Sequence, residues 1–334
     1  MDKQVIYSGI QPTGCITLGN FIGAISNWLE LQNNPEYQCI YSIVDMHSLT
    51  VRQVPSELRK RTLSFLAQYL ACGLDPNKNI LYIQSHVPAH AELQWVLNCF
   101  TYVGEMNRMT QFKDKSLKNS DNINMGLMDY PVLMASDILL YNTALVPIGI
   151  DQKQHLEIAR DIAMRFNNLF SPTFTVPEGY IPNVGAKIMS LQNPSAKMSK
   201  SDENENATIS LLDDKDTIMR KFRKAVTDSE NKIYFAETEE KAGISNLLTI
   251  YVKVTGKTLD EAQKQFENSN YGDFKEAVGE AVCKLLNPVK ERYDQLILDK
   301  DYLLKVARDG AEQANYLANK MLKKVHKKVG FVER

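Results

Sequence analysis

Four short β-rich runs, each followed by a stretch with helical spacing, set the strongest limit on what this chain can become. Gln4-Val5-Ile6-Tyr7-Ser8 ends at Gly9, and a helical run of apolar residues starts at Phe21. Cys39-Ile40-Tyr41-Ser42-Ile43-Val44 ends at Asp45-Met46-His47. A helix is expected from Pro55 to Cys72, with Pro at its start and Gly73 just beyond its end. Ile80-Leu81-Tyr82-Ile83 ends at Gln84-Ser85-His86, ahead of a helix over 89–100. Ala144-Leu145-Val146-Pro147-Ile148 precedes Gly149 and a helix over 151–166. Strands alternating with helices of this length predict an α/β fold with a doubly wound, Rossmann-like parallel sheet. In such sheets ligands bind beyond the carboxyl ends of the strands. Ser8-Gly9, Asp45 to His47 and Gly149 to Asp151 all fall there.

After residue 200 the strand signals fade. Helical patterns follow over 213–225, 244–254, 259–266 and 274–286. In the last helix Ala307, Ala311, Ala314, Ala318, Met321 and Val325 form one narrow apolar stripe. We therefore expect a catalytic-type domain over 1–200 and an α-helical C-terminal domain over 201–334, whose last helix packs back on the first. The outer face near the end carries Lys320, Lys323, Lys324, Lys327 and Lys328. That is either a solvated face or a contact for RNA phosphates.

Composition narrows the class. The 334 residues are 44% hydrophobic and 24% charged, enough for a sizeable core. Net charge is −1, so any nucleic-acid contact must come from local patches. Cys15, Cys39, Cys72, Cys99 and Cys283 are scattered, with no C-x-x-C pair, which argues against a disulfide framework or a structural metal site. No stretch of roughly 18 apolar residues and no signal-peptide pattern is present, so a cytoplasmic protein without a membrane span is expected.

The first loop, Ile10-Gln11-Pro12-Thr13-Gly14, is neither G-x-G-x-x-G nor a P-loop. Its small residues Gly9, Gly14 and Gly19 allow close backbone approach to a ligand, and a helix N-terminus follows. Gly-rich turns are as often plain structural punctuation. A second polar loop, Ala196-Lys197-Met198-Ser199-Lys200-Ser201-Asp202, has no apolar periodicity and reads as exposed and mobile. Two lysines three residues apart can reach one polyphosphate, with Ser199 and Ser201 assisting.

Lys-Met-Ser-Lys-Ser resembles the KMSKS signature of class I aminoacyl-tRNA synthetases. Ser8 to Gly14 with Thr17-Leu18-Gly19-Asn20 resembles the first signature of the tryptophanyl-tRNA synthetase family. Val44 to His47, Arg108 to Lys115, Ala135 to Tyr141, Gly149 to Gln152, Ala225 to Ser229 and Gly243 to Leu248 follow in that family's order. The chain departs from the family at Met46, where Gln is common, and at Ile150, where an acidic residue is common. Ile150 leaves only a backbone role at that position.

The resemblance implies two steps. The carboxylate of L-tryptophan attacks the α-phosphate of ATP, giving the adenylate and pyrophosphate, and the acyl group then moves to the 3′ end of tRNA(Trp). It implies Mg²⁺ with the nucleotide and a homodimer. Catalysis of the first step is positioning and charge stabilisation, with no nucleophilic Ser or Cys required. On this resemblance Lys200 and Lys197 serve the triphosphate. Gln11, Pro12, Thr13, Gly19 and Asn20 hold ATP from the first loop, and Gly149, Ile150, Asp151 and Ile188 meet its adenosine. Met198, Ser199 and Ser201 complete the second loop. Lys113 and Lys115 either reach phosphates or lie on a solvated surface.

Asp137 stands out because it interrupts the apolar run from Pro131 to Leu140. Without the resemblance it reads as a surface Asp or as a buried one paired with arginine. With it, Asp137 becomes the acceptor for the indole N–H, and Met134 packs against the ring. Tyr7, Gly9, Val146 and Ile148 line the pocket, while Tyr130 and Gln152 engage the amino end. His47 either touches the indole or is a packed core histidine. Two other readings remain: a tyrosyl-type synthetase, and a non-catalytic paralogue that senses tryptophan or nucleotide.

Overall fold

The structure, a computed structural model, describes residues 3–109, 123–149, 153–180, 187–200 and 202–333. Five parallel strands form one sheet: β1 (Gln4–Ile10), β2 (Tyr37–Ile43), β3 (Ile80–Ile83), β4 (Leu145–Pro147) and β5 (Glu178–Tyr180). Their order across the sheet is β3-β2-β1-β4-β5. The chain thus builds outward from β1 on one side, then returns to lay β4 and β5 on the other. β1 pairs along its length with β2, Ser8 opposite Tyr41, but meets β4 in register only at Ile6 and Leu145. Beyond that point β1 and β4 part, and this divergence is the topological switch point at which α/β sheets bind ligands.

The doubly wound architecture matches the strand–helix alternation. β5 was not expected from sequence. It is three residues long, Glu178-Gly179-Tyr180, directly after Pro177, and offers no apolar run to recognise.

The first helix starts earlier than its apolar spacing suggests. Thr17 caps α1 (Leu18–Asn20) through a reciprocal pair with Asn20. A π-helical turn over Phe21–Ile25 then leads into α2 (Ser26–Leu31). Such π segments widen a helix locally and recur near functional sites. α3 (Pro55–Cys72) has the expected bounds, Pro at its start and Gly73 at φ +106° after its end. α4 (Ala89–Asn98), α5 (Val103–Arg108), α6 (Met125–Leu139) and α7 (Lys153–Phe170) complete the first half.

From residue 202 the described chain is helical: α8 (Lys215–Arg223), α9 (Ala242–Thr255), α10 (Leu259–Phe266), α11 (Tyr271–Leu296) and α12 (Lys300–Val329). α11 runs ten residues past its expected end at Leu286, because it continues through Asn287-Pro288 where sequence reads a stop. α12 lies against β3. At their closest approach Gly310 meets the Leu81 carbonyl, and a Cβ at that position would run into it. The buried core crosses residue 200 without a break. Ile188, Leu191 and Met198 pack in one apolar cluster with Leu18, Phe65, Ile209, Ile218 and Phe222.

Candidate functional site

Where β1 and β4 part, a cleft of about 390 Å³ opens at the carboxyl end of the sheet. One wall comes from Tyr7 to Gln11, the other from Val146, Pro147 and Ile148, and α6 supplies Tyr130, Met134, Asp137 and Ile138. Gly9 is required by packing. A Cβ there would sit 2.7 Å from Ser42 Oγ and 2.8 Å from Val44 Cγ1, so any side chain would push β1 off β2. Tyr7 presents its ring and keeps its hydroxyl 2.6 Å from Ser42 Oγ. Burial, and next the nearby Asp137 charge, push that hydroxyl's pKa well up, so it stays neutral.

The cleft's chemistry centres on Asp137. It is 1% exposed. Gln84 Nε2 donates to its Oδ1 at 2.7 Å. His90 Nδ1 lies 2.6 Å from the same oxygen, a close contact short of an aligned hydrogen bond. His47 Nε2 is 3.0 Å from Oδ2. Burial alone would raise the Asp137 pKa, but His90 beside it and the bond from His47 hold it below the usual carboxylate range. Asp137 is therefore an ionised acceptor. A carboxylate offers about four lone-pair sites. Gln84 bonds Oδ1, which His90 also crowds, and His47 bonds Oδ2, which leaves Oδ2 one acceptor position.

The partners are themselves held. Gln84 Oε1 accepts the Met46 amide at 3.1 Å. Tyr141 donates to Tyr82 at 2.9 Å, and the Tyr82 hydroxyl is 2.9 Å from His90 Nε2. Burial pushes both phenol pKa values well up, so both remain donors. His90 Nε2 then accepts, and its ring hydrogen sits on Nδ1, facing the carboxylate. Asp137 thus has neither a surface position nor an arginine partner; histidines and an amide fill that place. His47 is bonded to Asp137 and also lines the cleft. At the far side Tyr130 meets His155 Nε2 at 2.9 Å, and burial pushes the Tyr130 hydroxyl up to about 12.

Gln11 links this cleft to the two polar loops. It lines the cleft, and its Nε2 donates to the His47 carbonyl at 3.2 Å. Its own carbonyl accepts from Lys200 Nζ at 3.4 Å. The Lys200 ammonium also stands 4.7 Å from the centre of the Phe65 ring. Burial pulls the Lys200 pKa down to about 7. Asn20 Oδ1 accepts from the Thr17 amide at 3.2 Å and from the Thr17 hydroxyl at 3.1 Å. Lys197 and Ser199 are exposed, as expected for an open loop, but Met198 between them is not. Its side chain is 4% exposed in the core, and its amide donates to the Ile188 carbonyl at 3.0 Å. The second loop is anchored at its middle, which its polar sequence hides. Ile188 is likewise buried, Pro12 is buried, Thr13 is half-buried and Gly149 is exposed.

A family model described as tRNA synthetases class I (W and Y) matches residues 2–287. A tryptophan–tRNA ligase of Clostridium tetani is 54% identical over 331 residues, covering 99% of this chain and 97% of the relative. The chain belongs to the tryptophanyl-tRNA synthetase family. The crystal structure of the Mycoplasma pneumoniae tryptophanyl-tRNA synthetase superposes with a TM-score of 0.90 at 34% identity, covering 99% of both chains. That of the Campylobacter jejuni enzyme, in complex with ADP and tryptophan, superposes with a TM-score of 0.82 at 31% identity, covering 98% of this chain and all of the other.

In this synthetase the residues expected around tryptophan, Asp137, Met134, Tyr7, Gly9, His47, Tyr130, Val146 and Ile148, all line the one cleft. Of the residues expected around ATP, Gln11 lines it too, while Gly19 and Asn20 belong to α1, and Ile188, Lys197, Ser199 and Lys200 to the second loop and the segment leading into it. Ile150, Asp151, Gln152, Ser201, Lys113 and Lys115 lie outside the described residues. Sequence reasoning missed Gln84, His90 and His155. Gln84 had a signal, since it stands at the carboxyl end of β3; His90 and His155 sit inside helices with nothing to mark them.

Proposed function

We propose that L-tryptophan lies in the β1–β4 cleft with its indole N–H donated to Asp137 Oδ2, and that ATP lies across the first loop and the 196–202 loop. As a tryptophan–tRNA ligase the chain activates tryptophan with ATP and transfers it to tRNA. The observation that carries the residue-level reading is Asp137: one ionised carboxylate, with one acceptor position left, in a cleft whose apolar wall is made by Met134, Ile138, Val146 and Ile148. Tryptophan's side chain offers one polar group, a single donor. Met134, Val146 and Ile148 cover the ring, and Tyr130 and Gln152 take the amino end. A substrate without that donor leaves the buried acceptor unpaired, the condition under which sites discriminate strongly.

The tryptophan carboxylate then faces the α-phosphate, and Lys200 and Lys197 stabilise charge on the triphosphate with the Asn20 amide and the α1 N-terminus. No charge moves through a protein nucleophile. Among the described residues no cluster of three or more His, Cys, Asp or Glu side chains is placed to hold a metal ion. In this reading Mg²⁺ arrives on the phosphates of ATP.

The helical part from residue 201 serves tRNA(Trp), with the lysines of α12 contacting phosphates. The enzyme works as a homodimer through the face that α4, α5 and α6 present, where Trp95, Tyr102, Val103 and Met125 are exposed. Among the described residues no helix is long and apolar enough to cross a membrane. A cytoplasmic place fits work in translation.

The test is amino-acid-dependent ATP–pyrophosphate exchange on the wild type and on Asp137→Ala. We expect exchange with tryptophan alone. In the variant kcat/KM for tryptophan should fall on the order of a hundredfold, with KM for ATP little changed. Exchange with tyrosine, or tryptophan kinetics like the wild type in the variant, would overturn the Asp137 reading.

A further inference from the structure

The loop that carries Lys197 and Lys200 has two roots, and a buried polar side chain from the helical part grips each one. At the first root Asn246 of α9, 5% exposed, clamps one residue from both sides. Its Nδ2 donates to the Met189 carbonyl at 3.0 Å and its Oδ1 accepts the Met189 amide at 2.9 Å. Met189 in turn forms an antiparallel bridge with Lys197. The clamp therefore sits one strand away from the first lysine.

At the second root Lys221 of α8, 6% exposed, donates to the Thr208 carbonyl at 2.9 Å and meets Asp213 Oδ2 at 2.6 Å. Asp213 Oδ2 also accepts the Ser210 amide at 2.9 Å. The Thr208 hydroxyl donates to the Ser199 carbonyl at 3.0 Å, inside the loop. The same segment is bonded to the first loop: the Leu18 amide donates to the Ile209 carbonyl at 2.8 Å and the Leu211 amide to the Ile16 carbonyl at 2.9 Å. One short stretch thus couples α1, the lysine loop and α8.

Both residues are costly where they stand. Asn246 lies among buried Ile244, Leu247 and Leu248, and Lys221 beside buried Ile218 and Phe222. A helix that only filled core would carry an apolar residue at either position, since a buried polar group costs free energy unless bonded. Their bonds go to the main chain of the loop roots and, for Lys221, also to the Asp213 carboxylate that holds the Ser210 amide. Neither side chain lines the β1–β4 cleft.

We propose that Asn246 and Lys221 are positioning residues for the loop segment that carries Lys197 and Lys200, setting the distance from the first loop at which both lysines reach one triphosphate. This rests on the reading that Lys197 and Lys200 hold that triphosphate. The action is specific to ATP, because the tryptophan cleft is built from other elements.

The experiment compares Asn246→Leu, Lys221→Met, the double variant and Thr208→Val, all in the full chain. Thr208→Val removes the loop link without emptying a buried site. ATP–pyrophosphate exchange gives kcat and KM for ATP, and equilibrium dialysis without ATP gives Kd for tryptophan. We expect kcat/KM for ATP to fall between about tenfold and a hundredfold while Kd for tryptophan stays within about twofold. The double variant should lose less than the product of the single losses, as two pins on one loop would. Hydrogen exchange should quicken over 189–200 in each variant. Variants with lowered Tm but unchanged ATP kinetics would overturn the proposal. If the two core variants lose tryptophan and ATP binding together, Thr208→Val decides: unchanged ATP kinetics and loop exchange there also overturn it. Lys200→Met is the separate control. Normal ATP kinetics in that variant would remove the lysine reading itself, whatever the pins do.

Discussion

At the scale of single residues the site depends on burial acting in opposite directions on two charges. Asp137 is kept ionised by the histidines around it, whereas Lys200, over Phe65 and against the Gln11 carbonyl, has its pKa lowered to about 7. A lysine with a depressed folded pKa binds fewer protons than its unfolded counterpart between about 7 and 10.5. The native state therefore gains stability from this group as pH rises through that window, and the cost is fully present below it. A triphosphate restores the charge, so ATP binding within the window should take up a proton. Calorimetry in buffers of differing ionisation enthalpy checks this. Uptake should approach one proton midway through the window and vanish in Lys200→Met; a heat independent of buffer would refute it. Asp137 was legible in the sequence because a carboxylate in an apolar run demands a reason. Its partners were not, since no spacing ties Gln84 or His90 to a residue some fifty positions on; only the fold turns them toward it. Met198 was hidden for the opposite reason, one large apolar residue in a loop whose other side chains are Ala196 and five polar ones.

At the scale of elements the alternation of β-rich and helical runs foretold a doubly wound parallel sheet and four of its strands, though not their order across it, and α6, which brings Asp137 into the cleft, was legible only as an apolar run. The misses have local causes. β5 is too short to carry a pattern, and α11 continues through Pro288 because tertiary packing outweighs the proline's lost hydrogen bond. The contact of α12 with β3 depends on one missing side chain. Gly310→Ala would drive a methyl group into the Leu81 carbonyl and force the helix off the strand. We expect a loss of about 2–4 kcal/mol, read from the denaturant midpoint at unchanged slope. A loss under about 0.5 kcal/mol, the range of an ordinary surface change, would mean that the helix can shift freely there.

At the scale of the whole molecule the boundary expected at residue 200 leaves no mark on the apolar core, which takes residues from both sides of it. Sequence could not show that continuity, because it is made by Met198, Ile209 and Phe222 meeting residues from far up the chain. The exposed apolar face on α4, α5 and α6 belongs to this scale too. If the proposed dimer forms through this face, Trp95→Glu, at a side chain 69% exposed, should leave the fold intact and lower the mass by light scattering from dimer to monomer; a mass equal to that of the wild type would remove this face from the proposal. The seat of α12 on β3 also bears on how the chain is made. β3 is an edge strand, and its cover lies 229 positions later in the chain, from Leu81 to Gly310. At roughly 5–20 residues per second, a ribosome leaves that edge bare for roughly 10–45 s after β3 emerges. During that interval the open edge is a template for pairing with a neighbouring nascent chain, a hazard of synthesis that the finished fold no longer shows.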